Sequence, residues 1–190
     1  MAGDVLAYMD AQVGKVMTAL KNAGIADRTI VIFTSDHGYH LGEHDFWAKV
    51  SLHEESVRVP LIISVPGKKP AVCESFTELL DLYPTLSSLC GLEVPSRLQG
   101  KDISGMLSDP TMKVRETAFT VNGRGFLLRD QDWAYIQYAE DASKGIELFD
   151  MHKDPLQYTN LAGDAKYAKI VTGFKEQLKA KLAAVRDNDL

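Results

Sequence analysis

The run Thr29-Ile30-Val31-Ile32-Phe33 is apolar and largely β-branched, and it stops at Ser35-Asp36-His37-Gly38. Apolar residues on both alternating faces are the pattern of a strand buried inside a parallel sheet with helices on either side. A chain with such a strand is constrained to a layered α/β architecture. In open α/β sheets, ligand sites gather at the carboxyl ends of strands, where side chains project from a rigid support. Asp36 and His37 put a hard oxygen and a nitrogen donor side by side at such an end, and Gly38 lets the backbone turn sharply past them. On these three residues alone, a capped strand end with an ordinary polar loop is the favoured reading.

Around this strand the chain alternates between elements. Val5, Leu6, Met9, Val13, Val16, Met17 and Leu20 recur at helical spacing between about Asp4 and Ala23, and Gly24 suits the stop. A long polar loop follows Ser35 as far as about Val57, and residues 61–65 read as a second buried strand closed by Pro66-Gly67. Asp81 is placed to cap a helix running to Cys90, with Pro84 in its first turn and Gly91 past its end. Residues 91–110 are loop-like, with a helical turn near 105–107. Beyond them, residues 116–121, 126–129, 133–138 and 147–150 read as short strands with a hairpin at Asp130-Gln131-Asp132. Tyr167, Ile170, Val171, Phe174, Leu178 and Leu182 mark a closing amphipathic helix. Residues 1–110 are expected to form an α/β portion, and residues 111–190 a small α+β subdomain.

Composition narrows the function classes. The net charge of -5 comes without a basic stripe, which argues against nucleic acid as partner. No apolar run approaches the ~20 residues needed to cross a bilayer, so no membrane partner is expected. The opening Met1-Ala2-Gly3-Asp4 lacks the charged start and apolar core of a signal peptide. Two distant cysteines, Cys73 and Cys90, make neither a disulfide framework nor a CxxC site and are expected to pack as small apolar residues.

The longer string is more specific. Ser35-Asp36-His37-Gly38, Leu41-Gly42-Glu43-His44, Trp47-Ala48-Lys49, Glu54-Glu55 and Arg58-Val59-Pro60-Leu61-Ile62-Ile63 follow in order. Downstream come Glu78–Leu86, Cys90-Gly91-Leu92, Leu98-Gln99-Gly100-Lys101, Glu147-Leu148-Phe149-Asp150, Lys153-Asp154-Pro155 and Asn160-Leu161-Ala162. This series resembles the sulfatase family of the alkaline phosphatase superfamily, in particular iduronate-2-sulfatase-like and related bacterial sulfatases. The resemblance spans nearly the whole chain but only the later part of such an enzyme. It implies the later part of a doubly wound, alkaline-phosphatase-like sheet, followed by a small antiparallel sheet with a C-terminal helix. It also implies hydrolysis of a sulfate ester, on a sulfated small molecule or glycan, with a divalent cation, calcium before magnesium. The family suggests a periplasmic, secreted or lysosomal setting.

The resemblance assigns a metal-ligand role to Asp36 and His37, His37 standing where other sulfatases use asparagine. It assigns sulfate contact to Lys49, whose compact ammonium suits a sulfate oxygen; a solvated loop lysine is the plain alternative. The family's Cys/Ser-x-Pro-x-Arg motif, whose first residue becomes formylglycine, is not matched at Cys73 or Cys90, and Pro95-Ser96-Arg97 is a loop. The early metal-binding aspartates also have no counterpart. The chain alone is therefore expected to be inactive, and to need the missing N-terminal part or to self-associate. A related phosphodiesterase or phosphonate monoester hydrolase shares this metal logic, and a non-catalytic interaction module is a third reading.

The neighbouring residues have plainer readings. His40 and His44 have an H-x3-H spacing, but no helix signal puts them on one face, so pocket or structural roles are preferred to metal. Trp47 and Tyr39 read as packing or pocket wall. His53-Glu54-Glu55-Ser56-Val57 lacks the second histidine of a zinc-protease motif. Arg58 is expected to pair with Glu54 or Glu55 at the surface.

Overall fold

A computed structural model describes residues 2–123 and 125–187, which pack as two compact units. One comprises residues 2–34 with 60–69, and the other residues 35–59 with 70–187.

The first unit holds helix α1 (Ala2–Asn22) and strands β1 (Val31–Thr34) and β2 (Leu61–Ser64). Asp4 in its first turn and Lys21 in its last complement the helix dipole. Gly24 then takes φ +65°, and its N–H donates to the Lys21 carbonyl at 3.0 Å. Positive φ at this position is the ordinary helix stop, and it favours glycine. β1 pairs antiparallel with β2, Val31 opposite Ser64 and Thr34 opposite Leu61. This corrects the expectation of a parallel, fully buried strand. An apolar run on both faces reports burial but not the direction of the neighbour. All four β1 residues are only half-buried, and Val5, Leu6, Tyr8, Val16 and Ile62 are exposed. Among its described residues, this unit has none in the buried class.

The second unit is built on a four-stranded antiparallel meander, β3 (Ala118–Asn122), β4 (Gly125–Arg129), β5 (Trp133–Tyr138) and β6 (Ile146–Asp150), in sequence order. The β4–β5 turn lies where the sequence places it. The Asp130 carboxylate accepts from the Asp132 N–H at 2.9 Å and from the Trp133 N–H at 2.7 Å. Helix α4 (Ala168–Arg186) lays Val171, Phe174, Leu178 and Leu182 on one sheet face, against Leu128, Tyr135 and Leu148. Burial raises the Tyr135 hydroxyl to about 12, and that hydroxyl donates to Gln137 Oε1 at 2.7 Å. The opposite face carries Leu127, Ala134, Ile136, Phe149 and Met151, and Leu52 packs into it at 1% exposure. Burying one leucine contributes about 1.5–3 kcal/mol. Leu52 thus anchors the otherwise polar segment 35–57 to a core made from residues far along the chain.

Two more helices complete this unit. Helix α2 (Glu54–Val57) lies inside the expected loop, its Glu54 N–H donating to Gln157 Oε1 at 2.7 Å. Helix α3 (Leu82–Leu89) follows a 3-10 turn at Leu79–Asp81. Asp81 does not cap α3 with its side chain, contrary to expectation. Its fully buried carboxylate accepts from the Glu78 and Lys101 N–H groups, both at 2.8 Å, and is gripped by both terminal nitrogens of Arg115. Burial by itself would raise this carboxyl's pKa. The Arg115 hydrogen bond, the two backbone N–H groups and the guanidinium charge outweigh it, and the balance lies below the ordinary aspartate value. Cys90 at the α3 terminus is exposed, so it has no packing role. Among the described residues, no helix is long and apolar enough to cross a membrane.

Candidate functional site

Segment 35–57 lies in the second unit as an out-and-back loop. On the outward arm the Ser35 hydroxyl donates to the His37 carbonyl at 2.7 Å. Gly38 then passes against α2, its N–H donating to the Ser56 carbonyl at 2.8 Å. A Cβ at Gly38 would lie 1.9 Å from the Glu55 carbonyl oxygen, so this glycine is required by a close approach and not by an unusual φ. The arms are tied by the His40 N–H to the Ala48 carbonyl at 2.9 Å and the Gly42 N–H to the Phe46 carbonyl at 3.2 Å. Gly42 has φ +124° and lies against the Trp47 ring, so glycine is needed here for its backbone. Glu43 accepts from the Leu41 N–H at 2.6 Å, and that bond holds its carboxyl below the usual carboxylate range.

The return arm brings Lys49 to the start of the loop. Lys49 Nζ is 3.0 Å from His37 Nε2, across twelve positions of sequence. On the other side of the ring, His37 Nδ1 is 2.8 Å from the Gly38 carbonyl. A carbonyl only accepts, so these partners assign the proton to Nδ1 and leave the Nε2 lone pair facing Lys49. Asp36 Oδ2 is 3.5 Å from the same Nε2, while Asp36 Oδ1 accepts from the His37 N–H at 3.1 Å. The Asp36 side chain is 85% exposed and that of His37 35%. Asp36, His37 and Lys49 therefore converge on one accessible spot, carrying a carboxylate, an imidazole lone pair and an ammonium.

This donor set fits a hard divalent cation as part of a shell. An Nδ1–H held by a backbone carbonyl is the usual support behind a metal-ligating imidazole, because it fixes the tautomer and the ring plane. Asp36 Oδ2 is beside the same Nε2, whose lone pair meets the Lys49 ammonium in this structure and would exchange that contact for a cation. Two ligands are too few for calcium, which takes ~6–8 oxygens. Among the described residues, no three His, Cys, Asp or Glu side chains form a set able to hold a metal.

His40, His44 and His53 form a separate cluster, while His152 stands apart from it, its Nε2 2.8 Å from Asp132 Oδ1. His40 is fully buried and edge-on to Phe46 at 5.1 Å and to His44 at 5.7 Å. His44 is stacked between His53 at 4.4 Å and Tyr158 at 4.8 Å. His53 Nε2 is 3.4 Å from Glu147, which also accepts from the Tyr138 hydroxyl. Tyr39 and Trp47 are exposed, and the Tyr39 hydroxyl reaches the Trp47 carbonyl at 3.5 Å. Arg58 pairs with Glu54 at 3.7 Å from an exposed position. Sequence reasoning missed α2, Leu52 and Ser51, which hold the loop. A single leucine and a few small polar residues in a polar stretch give no periodic signal.

Known proteins bear on this geometry. The sulfatase family model matches residues 3–92. Bovine arylsulfatase K is 33% identical over 190 residues, covering 92% of this chain and 34% of its own length. The chain belongs to the sulfatase family. The N-acetylglucosamine-6-O-sulfatase of Bacteroides thetaiotaomicron is 31% identical to this sulfatase chain, covering 95% of it and 35% of its own length. A structure solved in complex with its substrate, D-glucosamine-2-N,6-O-disulfate, superposes with a TM-score of 0.79 at 31% identity, covering 95% of the chain and 39% of the neighbour. The phosphonate monoester hydrolase of Agrobacterium radiobacter does so with a TM-score of 0.82 at 31% identity, covering 94% and 40%. The sulfatase chain thus has the α/β alkaline-phosphatase-like fold, with antiparallel sheets and a C-terminal helix. It spans about a third of the length of the curated relatives it matches.

Proposed function

We propose that this chain supplies part of the active site of a sulfuric ester hydrolase acting on a sulfated sugar, with Asp36 and His37 as metal ligands and Lys49 as the sulfate-binding cation. The observation that carries this reading is the convergence of Lys49 Nζ on His37 Nε2 at 3.0 Å, beside the Asp36 carboxylate. Sulfate-ester hydrolysis builds negative charge on the sulfuryl oxygens and on the departing alkoxide. Lys49 holds a sulfate oxygen and offsets that charge. The Gly38 carbonyl keeps the His37 ring in one tautomer, and Asp36 presents its free oxygen to the same spot. Calcium, when bound, supplies the divalent charge that stabilises the sulfuryl group; magnesium is the lesser choice. The nucleophile comes from elsewhere in the fold, because no cysteine or serine of the chain begins a Cys/Ser-x-Pro-x-Arg motif.

Sugar sulfates are favoured as substrates by two relatives, one named a 6-O-sulfatase of N-acetylglucosamine and one solved with a disulfated glucosamine. The exposed apolar residues of α1 and Ile62 suit a surface covered by the rest of a sulfatase fold, or by a second copy. The phosphonate hydrolase neighbour supports one competing reading, a phosphonate monoesterase. Matched aryl sulfate and aryl phosphonate monoesters, given to a complete enzyme containing this chain, separate the two. A higher kcat/KM for the sulfate is expected. Preference for the phosphonate would replace the sulfatase reading.

A further inference from the structure

We infer that His40 is a positioning residue for Lys49, fixing the backbone that carries the ammonium to His37. The catalytic consequence rests on the role proposed above for Lys49. His40 is the buried centre of the loop at 0% exposure, and it touches both sides of the Lys49-Val50 pair. Its backbone N–H donates to the carbonyl of Ala48, the residue before Lys49, at 2.9 Å. Its ring Nε2 is 2.6 Å from the hydroxyl of Ser51, the residue after Val50. The ring's other nitrogen, Nδ1, is 3.3 Å from the Glu43 carbonyl, so Nδ1 donates and Nε2 accepts from Ser51. The Ser51 hydroxyl in turn accepts from the His53 N–H at 3.2 Å, next to buried Leu52.

Between these two ties stands Val50, at φ +71°. A β-branched residue in the left-handed region is a genuine outlier, and such a conformation persists only when the surroundings over-determine it. The ties at Ala48 and Ser51 supply that constraint. A relaxed Val50 would redirect the preceding peptide, and with it the Lys49 side chain, which among the described residues is held at the site by its contact with His37. His40 itself touches neither Asp36 nor the reacting group. It acts through Lys49.

Two measurements test this. On the chain itself, trypsin cleavage after Lys49 reports opening of the bracketed pair. His40→Ala and Ser51→Ala are expected to speed that cut about tenfold, the change for losing roughly one well-made hydrogen bond, while His40→Gln restores much of the resistance. Cleavage at the wild-type rate in both variants overturns the bracket. Should His40→Ala fail to fold, Ser51→Ala, which keeps the buried ring in place, decides alone. In a complete enzyme, His40→Ala should lower kcat with little change in KM, and should change kcat less than twofold in the Lys49→Ala background. Additive losses in that cycle would mean that His40 stabilises the fold without positioning Lys49. If Lys49→Ala were silent by itself, the proposed role of Lys49 would fail, and the trypsin result would still judge the bracket.

Discussion

Replacing Lys49 by alanine separates chemistry from stability. The Lys49 side chain is exposed, and its contact at the site is one hydrogen bond to a third-exposed imidazole. Removing it leaves no cavity and no buried orphan, so the stability change should stay within about 1 kcal/mol. For a chain of this size that is a shift in Tm of about 2–4 °C. The effect on rate is of another order. An ammonium aimed at developing sulfuryl charge acts mainly in the transition state, and losing one such preorganised contact costs ~10²–10³ in kcat. Lys49→Arg should recover only part, since a planar fork does not reproduce a point charge. The assay is kcat/KM on a chromogenic aryl sulfate, in a complete enzyme containing this chain, with calorimetric melting of the same preparations. Parallel losses of activity and Tm, or no loss of either, would return Lys49 to an ordinary surface lysine.

Other outcomes follow from the same geometry. Asp36→Ala should abolish activity in a complete enzyme, whereas the chain alone, with two ligands, should bind calcium only at about millimolar levels; tight stoichiometric binding by titration calorimetry would contradict the two-ligand set. Arg115→Met should destabilise the chain by about 3–5 kcal/mol in denaturant unfolding, because it leaves the Asp81 carboxylate buried without its cation. Because its folded pKa lies below the unfolded value of about 3.9, Asp81 contributes stability that is complete above that pH and is lost as pH falls through the folded value. That acid loss should shrink in Arg115→Met, and an unchanged acid limb would remove Asp81 from the account. With Val5, Leu6, Val16 and Ile62 exposed, the isolated chain should self-associate in light scattering across a concentration series; a strict monomer at high concentration would show that this face tolerates water.

The elements with long or strongly periodic patterns were legible in the sequence: α1, α4, the four-stranded meander and the turn at Asp130. Each repeats one physical signal over several residues. Asp81 misled because the residue type that caps helices also serves ion pairs, and its partner Arg115 lies 34 positions away. The pairing direction of β1 was invisible, since apolar faces record burial and not the neighbour's polarity. At the site, residue chemistry suggested Asp36 and His37, but only family resemblance pointed to Lys49. The bracket at His40 and Ser51, the plug at Leu52 and the short helix α2 leave no pattern in sequence. The plug depends on the core of the meander, and the bracket on contacts between the two arms of the loop.

The most direct test of the assignment is crystallographic: a complete enzyme containing this chain, with calcium and inorganic sulfate in the crystal. Calcium is expected about 2.3–2.6 Å from an Asp36 carboxylate oxygen, with His37 Nε2 in its shell and Lys49 Nζ on a sulfate oxygen. A cation bound instead among His40, His44 and His53, or a sulfate held away from Lys49, would contradict the assignment.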